Sequence, residues 1–430
     1  MKFESKTLKE VSGGGSYGLG ASASQTPIGP KFLRTTDIVR GTIDWDDVPY
    51  CHADSSTIEK YRLHENDIVI SRTGANAGIN CLVNKPPVDA IFAGYLVRFQ
   101  IDEKIANAHY VSYVLRSLVW GDYVANTRTG SAQPQLNAVL MGEFEFSLPP
   151  LHIQKVIAQV LGALDEKFEL NQQISKNLEG IAQTIFRSWF VDFDPVKAKM
   201  AGEKPVGMDD ETAALFPDSM VGSELGLVPV GWKLSSIGDE IECVGGSTPS
   251  TSNSEFWDGD IFWTTPKDLS KQVGLVTTSS ERQITNKGLQ KISSGLLPVH
   301  SVLMSSRAPI GYLSINAVPT AINQGFIALR HDPKFAPLYL FFWLQLNMPE
   351  IKNRAGGGTF AEISRSAFKS IPFVVPNEPT LRKFAEIAEP ILSQLTALSL
   401  QNQELAALRD ALLPRLISGE LQIPEVMLVP

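Results

Sequence analysis

Thr129-Gly130-Ser131-Ala132-Gln133-Pro134-Gln135-Leu136 and Gly356-Gly357-Gly358-Thr359-Phe360-Ala361-Glu362-Ile363 decide the architecture, because each opens the same succession of signals. The first leads through Phe144-Glu145-Phe146-Ser147-Leu148-Pro149-Pro150 into a long helical pattern. The second leads through Ile371-Pro372-Phe373-Val374-Val375-Pro376 into another. Gly130 to Gly357, Leu136 to Ile363 and Pro149 to Pro376 all differ by 227, and a constant offset through glycine, apolar and proline positions marks an internal repeat. Further upstream the offsets vary, so the loops differ in length. Asp67-Ile68-Val69-Ile70-Ser71-Arg72-Thr73-Gly74 answers to Ser301-Val302-Leu303-Met304-Ser305-Ser306-Arg307-Ala308, each an alternating β-rich run ending in a small-residue turn that carries an arginine. Leu33-Arg34-Thr35-Thr36-Asp37-Ile38 answers to Trp263-Thr264-Thr265-Pro266-Lys267-Asp268-Leu269 with one gap. Each half therefore reads as a mixed α and β unit followed by a helix, and the two units are related but unequal.

The helical stretches carry a seam. Ile153, Ile157, Val160, Leu164, Lys167, Asn171, Ile174, Leu178, Ile181 and Ile185 recur at spacings of four and three. Leu381, Phe384, Ala388, Ile391, Leu395, Leu398, Asn402, Leu405, Arg409, Leu412 and Leu416 do the same. A helix over 151–190 would be ~60 Å long at ~1.5 Å per residue, too long to bury alone against a small domain. Each seam holds one central asparagine, Asn171 and Asn402, the residue type that fixes register in coiled coils, so the two helices are expected to pair with each other. Pro390 is expected to start or kink the second helix, and Pro414 to break its last turn. Between the halves, 191–230 is rich in Gly, Pro and acids and reads as a linker with some packed side chains.

Composition bounds the function. At ~150 residues per domain, 430 residues make two or three domains. Hydrophobic residues at 43% describe a globular chain with a core to bury. No run approaches the ~18 apolar residues of a membrane span, and Met1-Lys2-Phe3-Glu4-Ser5-Lys6 has no signal-peptide core, so a cytoplasmic location is expected. Cys51, Cys81 and Cys243 are scattered and outside any Cys-x-x-Cys pair, which writes neither a disulfide framework nor a zinc site. The net charge of −8 argues at first against a nucleic-acid partner. Yet −7 of it comes from 151–222 and 377–430, and only −1 from the two globular segments.

Catalytic signatures are missing. Gly13-Gly14-Gly15-Ser16-Tyr17-Gly18 satisfies G-x-G-x-x-G, but Ala21-Ser22-Ala23-Ser24-Gln25-Thr26-Pro27 follows where a pyrophosphate-binding helix would have to begin. No Gly-Lys dipeptide exists, so there is no Walker A loop. His52, His64, His109, His152, His300 and His331 show no metal spacing. Asp332 with Glu350-Ile351-Lys352 fits the carboxylate pattern of metal-dependent nucleases only loosely, and Asp332-Pro333-Lys334-Phe335 lacks the second proline of an adenine-methyltransferase motif.

Leu148-Pro149-Pro150-Leu151-His152-Ile153-Gln154-Lys155-Val156-Ile157-Ala158, then Leu164-Asp165-Glu166-Lys167, then Phe186-Arg187-Ser188-Trp189-Phe190-Val191-Asp192-Phe193-Asp194-Pro195 resemble the central conserved region of type I restriction-modification specificity subunits. Leu412-Leu413-Pro414-Arg415-Leu416-Ile417-Ser418-Gly419-Glu420-Leu421 resembles their C-terminal conserved region, and Gly231-Trp232-Lys233-Leu234 the start of the second recognition domain. The resemblance covers nearly the whole chain and keeps the family's order. It departs at the N-terminus, where no Pro-x-Gly-Trp precedes Lys6-Thr7-Leu8.

The resemblance implies an α+β fold: two mixed α/β target-recognition domains in pseudo-twofold arrangement, separated by two long antiparallel coiled-coil helices. The expected boundaries are 1–150 and 231–376 for the recognition domains and 151–190 and 377–418 for the helices, with a linker over 191–230 and a tail over 419–430. It implies a non-catalytic DNA-binding subunit that reads a bipartite, asymmetric site on double-stranded DNA. Its partners would be two modification (adenine methyltransferase) subunits and two restriction (motor/nuclease) subunits, with S-adenosylmethionine, ATP and Mg²⁺ on those partners and no cofactor here. Helix faces outside the seam, including Phe168, Phe186, Trp189 and Phe190, become candidates for docking the modification subunits, against core packing as the alternative.

Arginine pairs bidentately with guanine, Gln or Asn with adenine, while Ser, Thr and loop amides suit phosphates. On those grounds the DNA-binding candidates are Arg72, Thr73, Asn76, Arg128, Gln133 and Gln135 in the first domain. In the second they are Ser306, Arg307, Tyr312, Lys352, Arg354 and Thr359. The competing reading is that Gly130 and Gly356–Gly358 are plain turns and that half the arginines are solvated or salt-bridged. Two rival functions remain at this level, a two-headed protein-interaction scaffold and a stand-alone nuclease acting through Asp332 and Glu350.

Overall fold

The computed structural model describes residues 3–39, 41–128, 135–357 and 361–421. Two compact units emerge: one from residues 1–168 with 404–430, the other from 169–403. Two 40-residue helices, Leu151–Phe190 and Glu378–Ile417, each give one part to each unit.

Unit 1 is built on a four-stranded sheet ordered β2 (Gly15–Tyr17), β7 (Leu96–Gln100), β4 (Asp67–Ser71), β5 (Asn80–Leu82), antiparallel throughout. Beside it β3 (Phe32–Leu33) pairs in parallel with β6 (Ile91–Phe92). The opening strand β1 (Glu4–Thr7) pairs antiparallel with β8 (Glu145–Leu148), so the first domain has its entry strand despite the missing proline and tryptophan. Alternation in 67–71 does not hold: all five residues are buried, because this strand lies inside the sheet with both faces covered.

The segment expected as a linker is folded. Two short helices, Asp194–Met200 and Asp210–Ala214, precede a hairpin of β9 (Met220–Ser223) and β10 (Gly226–Pro229). Val196 and Phe216 enter the core of unit 2, which fixes the segment in place rather than leaving it a tether.

Unit 2 repeats the plan of unit 1 with additions. Its five-stranded sheet is ordered β12 (Cys243–Val244), β19 (Phe326–Leu329), β16 (Val302–Ser305), β17 (Leu313–Asn316), β14 (Val276–Thr277). Its first four strands match the order and antiparallel sense of β2-β7-β4-β5. A second sheet, β15 (Arg282–Ile284), β13 (Trp257–Thr264), β18 (Thr320–Ile322), contains the parallel pair equivalent to β3 and β6. Strand β11 (Lys233–Ser236) pairs with β20 (Pro372–Val375) as β1 does with β8. The Leu33–Ile38 correspondence is exact in its turn chemistry: Asp37 takes the Arg34 N–H at 2.8 Å and Asp268 takes the Thr265 N–H at 2.7 Å.

The two long helices pack against each other within each unit, antiparallel. In unit 1, Ile157 and Leu161 share a core with Leu413, Leu416 and Ile417. Asp165 there accepts from Tyr113 Oη at 2.9 Å, Arg116 Nη1 at 3.0 Å and Arg409 Nη1 at 3.1 Å. In unit 2, fully buried Asn171 donates to Gln401 Oε1 at 2.8 Å and Asn402 Oδ1 at 2.9 Å, as the seam asparagines predict. The seam frame needs correction in the first helix. Lys167 and Ile181 are exposed, and Phe168 and Ala182 take their places, giving a run through Leu161, Leu164, Phe168, Asn171, Leu178 and Ala182. The second helix neither starts at Pro390 nor breaks at Pro414. The helix runs unbroken through Pro390 and Pro414, whose rings face solvent while Ala388, Leu392, Leu413 and Leu416 beside them are buried.

Candidate nucleic-acid interface

Two segments distant in sequence meet at the end of the central strand of each unit. In unit 1, Arg72 follows β4; its N–H donates to Tyr95 O at 3.0 Å and its carbonyl accepts from Leu136 N at 2.9 Å. Thr73 then bridges Gln135. In unit 2, Ser306 follows β16; its N–H donates to Gly325 O at 2.8 Å and its carbonyl accepts from Ile363 N at 3.1 Å. Arg307 then bridges Glu362. The register Ser71-Arg72-Thr73 to Ser305-Ser306-Arg307 therefore holds in space, and so does the pairing of Gln135-Leu136 with Glu362-Ile363. The turns that end the strands and the glycine loops, read separately in the sequence, form one junction in each unit.

The side chains at these junctions differ. The Arg72 guanidinium lies over the Tyr17 ring at 5.1 Å, and its buried Nε has no hydrogen-bond partner. Tyr17 is itself held by the Ala138 N–H, which donates to its hydroxyl at 3.1 Å. Thr73 and Asn76 are half-buried, whereas Arg128 and Gln135 are exposed. In unit 2 Ser306 is buried, and Arg307 faces Glu362 at 3.5 Å. Tyr312 is half-buried against the apolar cluster that includes Leu303 and Phe326, and Lys352 is exposed. Arg354 is engaged within the unit: its Nε donates to Glu350 at 2.7 Å and its Nη1 to Ser370 Oγ at 3.0 Å. Gln133 and Thr359 lie outside the described residues.

The docking aromatics are placed elsewhere than expected. Phe186, Trp189 and Phe190 sit in the core of unit 2 around Phe384, at ring separations of 6.3, 6.2 and 5.2 Å. Core packing is their role, since three aromatic rings within about one turn of the helix have this interior to fill. Phe168 stays half-buried.

Sequence reasoning missed Tyr17 and the exposed Tyr95, whose contacts with Arg72 span 55 and 23 residues of the chain. The only signal was the tyrosine in the glycine-rich stretch, noticed as a failed cofactor loop. Thr248 and Gln324, hydrogen-bonded to each other next to Gly325, were missed for the same reason.

The junctions offer hydrogen-bond donors and acceptors. Among the described residues no group of three His, Cys, Asp or Glu could hold a metal ion. The two carboxylates of the loose nuclease pattern have other partners: Asp332 takes the Lys334 N–H at 2.8 Å, and Glu350 is paired with Arg354. No described helix is long and apolar enough to cross a membrane.

A duplicated α+β scaffold with loop junctions at the strand ends and a helix pair joining both copies is the build of a two-part recognition protein. The chain belongs to the type I restriction modification DNA specificity domain family, whose model matches residues 40–180 and 229–409. It is 29% identical over 385 residues to the type I restriction enzyme HindI specificity subunit of Haemophilus influenzae, covering 78% of this chain and 83% of that one. It is also 36% identical over 167 residues to the type I restriction enzyme MjaIX specificity subunit of Methanocaldococcus jannaschii, 38% of this chain and 39% of that one. The crystal structure of a type I restriction-modification S subunit from M. genitalium has the same fold, with a TM-score of 0.57 at 14% identity over 96% of both chains.

Proposed function

We infer that this chain is the sequence-reading subunit of a type I restriction-modification complex. Each unit reads one part of a split, asymmetric site on double-stranded DNA, and the chain holds the modification and restriction subunits to that site. The observation that carries this reading is the repeated junction, equal in its main-chain bonds and unequal in its side chains. Such a pair reads two different sequences with one geometry. The chain acts in the cytosol without catalysing a step. S-adenosylmethionine, ATP and Mg²⁺ belong to two modification and two restriction partners. The exposed apolar residues of the long helices, Leu170, Ile181, Leu400 and Leu408, replace the buried aromatics as docking candidates for the modification subunits.

Single-molecule methylation sequencing of DNA from cells expressing this chain with its modification subunit tests the reading. Adenine methylation at one split, asymmetric motif is expected. A complex that forms and methylates no new motif would instead identify a protein-interaction scaffold, whose binding would also be indifferent to salt, whereas phosphate contacts weaken steeply as salt rises.

A further inference from the structure

We propose that the residue pair across each loop junction, Thr73 with Gln135 in unit 1 and Arg307 with Glu362 in unit 2, is a specificity-determining position. It gives unit 1 a preference for an A·T pair and unit 2 a preference for a G·C pair at the equivalent place in their half-sites. This rests on the DNA-reading function above and deepens it.

The main chain removes geometry as a variable. In both units the residue before the pair donates to the carbonyl just ahead of the neighbouring strand and accepts from the residue after the pair, at 2.8 to 3.1 Å. Both pairs are bridged in the same antiparallel sense. What differs is the chemistry presented. Thr73 and Gln135 are uncharged: the glutamine amide, one donor group and one acceptor, matches adenine N6 and N7, and the threonine hydroxyl and methyl suit thymine O4 and its methyl group. Arg307 and Glu362 carry a fork of donors and a pure acceptor. In the major groove a G·C pair presents the complement, two acceptors on guanine and an amino donor on cytosine.

The ion pair is also suited to opening. Its 3.5 Å separation is long, and the arginine and glutamate side chains are 38% and 48% exposed, so it contributes little to folding and can be exchanged for contacts to a base pair. Arg72 does not supply the same function in unit 1. It stands one residue earlier, where unit 2 has buried Ser306, and a one-residue step along an extended segment turns a side chain to the opposite face. The arginine of the repeated turn has thus changed sides between the units. In unit 1 it leans on Tyr17, and in unit 2 it faces the partner loop.

The test transplants the pair. In the complete complex with modification and restriction subunits, the double variant Arg307→Thr/Glu362→Gln gives unit 2 the pair of unit 1, and Glu362→Gln alone removes the negative charge and exchanges one acceptor oxygen for a donor. Methylation motifs are sequenced, and competition binding is measured against duplexes exchanged at one base pair at a time. The double variant should move the preference at one base pair of one half-site from G·C toward A·T, with relative affinity changing by about 10- to 100-fold. Glu362→Gln should relax discrimination at that same base pair. The other half-site should be read as before, which also shows that the variant complex is assembled. An unchanged motif, or a loss of affinity spread evenly over all sequences, overturns the assignment. If the wild-type complex prefers no split motif, the DNA-reading function itself fails and the assignment falls with it.

Discussion

Replacing Asn171 by leucine should stabilise unit 2. The Asn171 side chain is fully buried; it makes two hydrogen bonds, to Gln401 and Asn402, and its own Oδ1 has no partner. Leaving an acceptor buried and unpaired costs about 1–3 kcal/mol, which the substitution removes. The two lost hydrogen bonds contribute a net ~0.5–1.5 kcal/mol each. Their acceptors on exposed Gln401 and half-buried Asn402 can turn to water. Burying a leucine in the seam adds about 1.5–3 kcal/mol. The central values leave a gain of about 2 kcal/mol. Five of the seven tryptophans lie in unit 2, so tryptophan fluorescence in urea follows this unit. With a slope of ~2–3 kcal/mol per molar, the midpoint should rise by ~0.7–1 M. A midpoint that falls by more than ~0.5 M would show that the amide contributes more by its bonds than its burial costs, and would refute the account. The variant should also pair its helices in more than one register, since the polar contact is what distinguishes one alignment from its neighbours.

Glu240 is held down to about 2 by hydrogen bonds from Lys233 and Lys334, both at 2.6 Å. A depressed carboxylate stabilises the fold above its unfolded pKa near ~4.3, and that contribution disappears as pH falls toward 2. Glu240→Gln should therefore flatten the acid limb of unit 2 stability between those values, seen as a smaller change in urea midpoint with pH than in the wild type. Gly18→Ala should destabilise unit 1, because its Cβ would stand 2.4 Å from the carbonyl oxygens of Phe92 and Ala93. Gly246→Ala should do the same to unit 2, at 1.8 Å from Ile322 O. Each costs about 1–3 kcal/mol by overpacking, measurable as a lowered unfolding midpoint. Arg72→Ala should lower DNA affinity with little change in stability, and Arg354→Ala should lower stability by about 1 kcal/mol without altering the salt dependence of binding. Salt titrations and melting curves on the two variants separate these outcomes.

The helices and the duplication were legible because both are periodic, and the Asn171–Asn402 contact followed from the period alone. The frame of the first seam was not. Lys167 against Phe168, and Ile181 against Ala182, both fit spacings of four and three, and hydropathy favours Ile181 over Ala182. The choice is made by the interior, where Ala182 shares the core with Phe186 and Leu178 leans on it. The roles of Phe186, Trp189 and Phe190 were undecidable for the same reason, since an aromatic cluster at a helix end reads alike whether it meets its own domain or a partner. At the junctions, Arg72 and Arg307 stood out by their place in the repeat. That Arg354 is locked by Ser370 and Arg72 lies over Tyr17 depends on contacts that no local pattern encodes.

The junctions themselves explain how one scaffold can carry two readings. The loop is held at Arg72 and at Ser306 through carbonyl and amide groups, which every residue but proline supplies. Substitution of the side chains there changes the chemistry offered without moving the loop. Elsewhere the same scaffold allows no such freedom. Gly18 and Gly246 approach neighbouring main chain so closely that a single methyl group would collide with a carbonyl. Asp37 and Asp268 are held to one role by the amides they accept from. Each unit thus combines positions fixed by backbone contact with positions whose side chains no such contact fixes, and the latter carry the differences: arginine opposite tyrosine in one unit, arginine opposite glutamate in the other. Two copies of a fold built this way can diverge in what they recognise while the framework that presents the recognition surface remains the same.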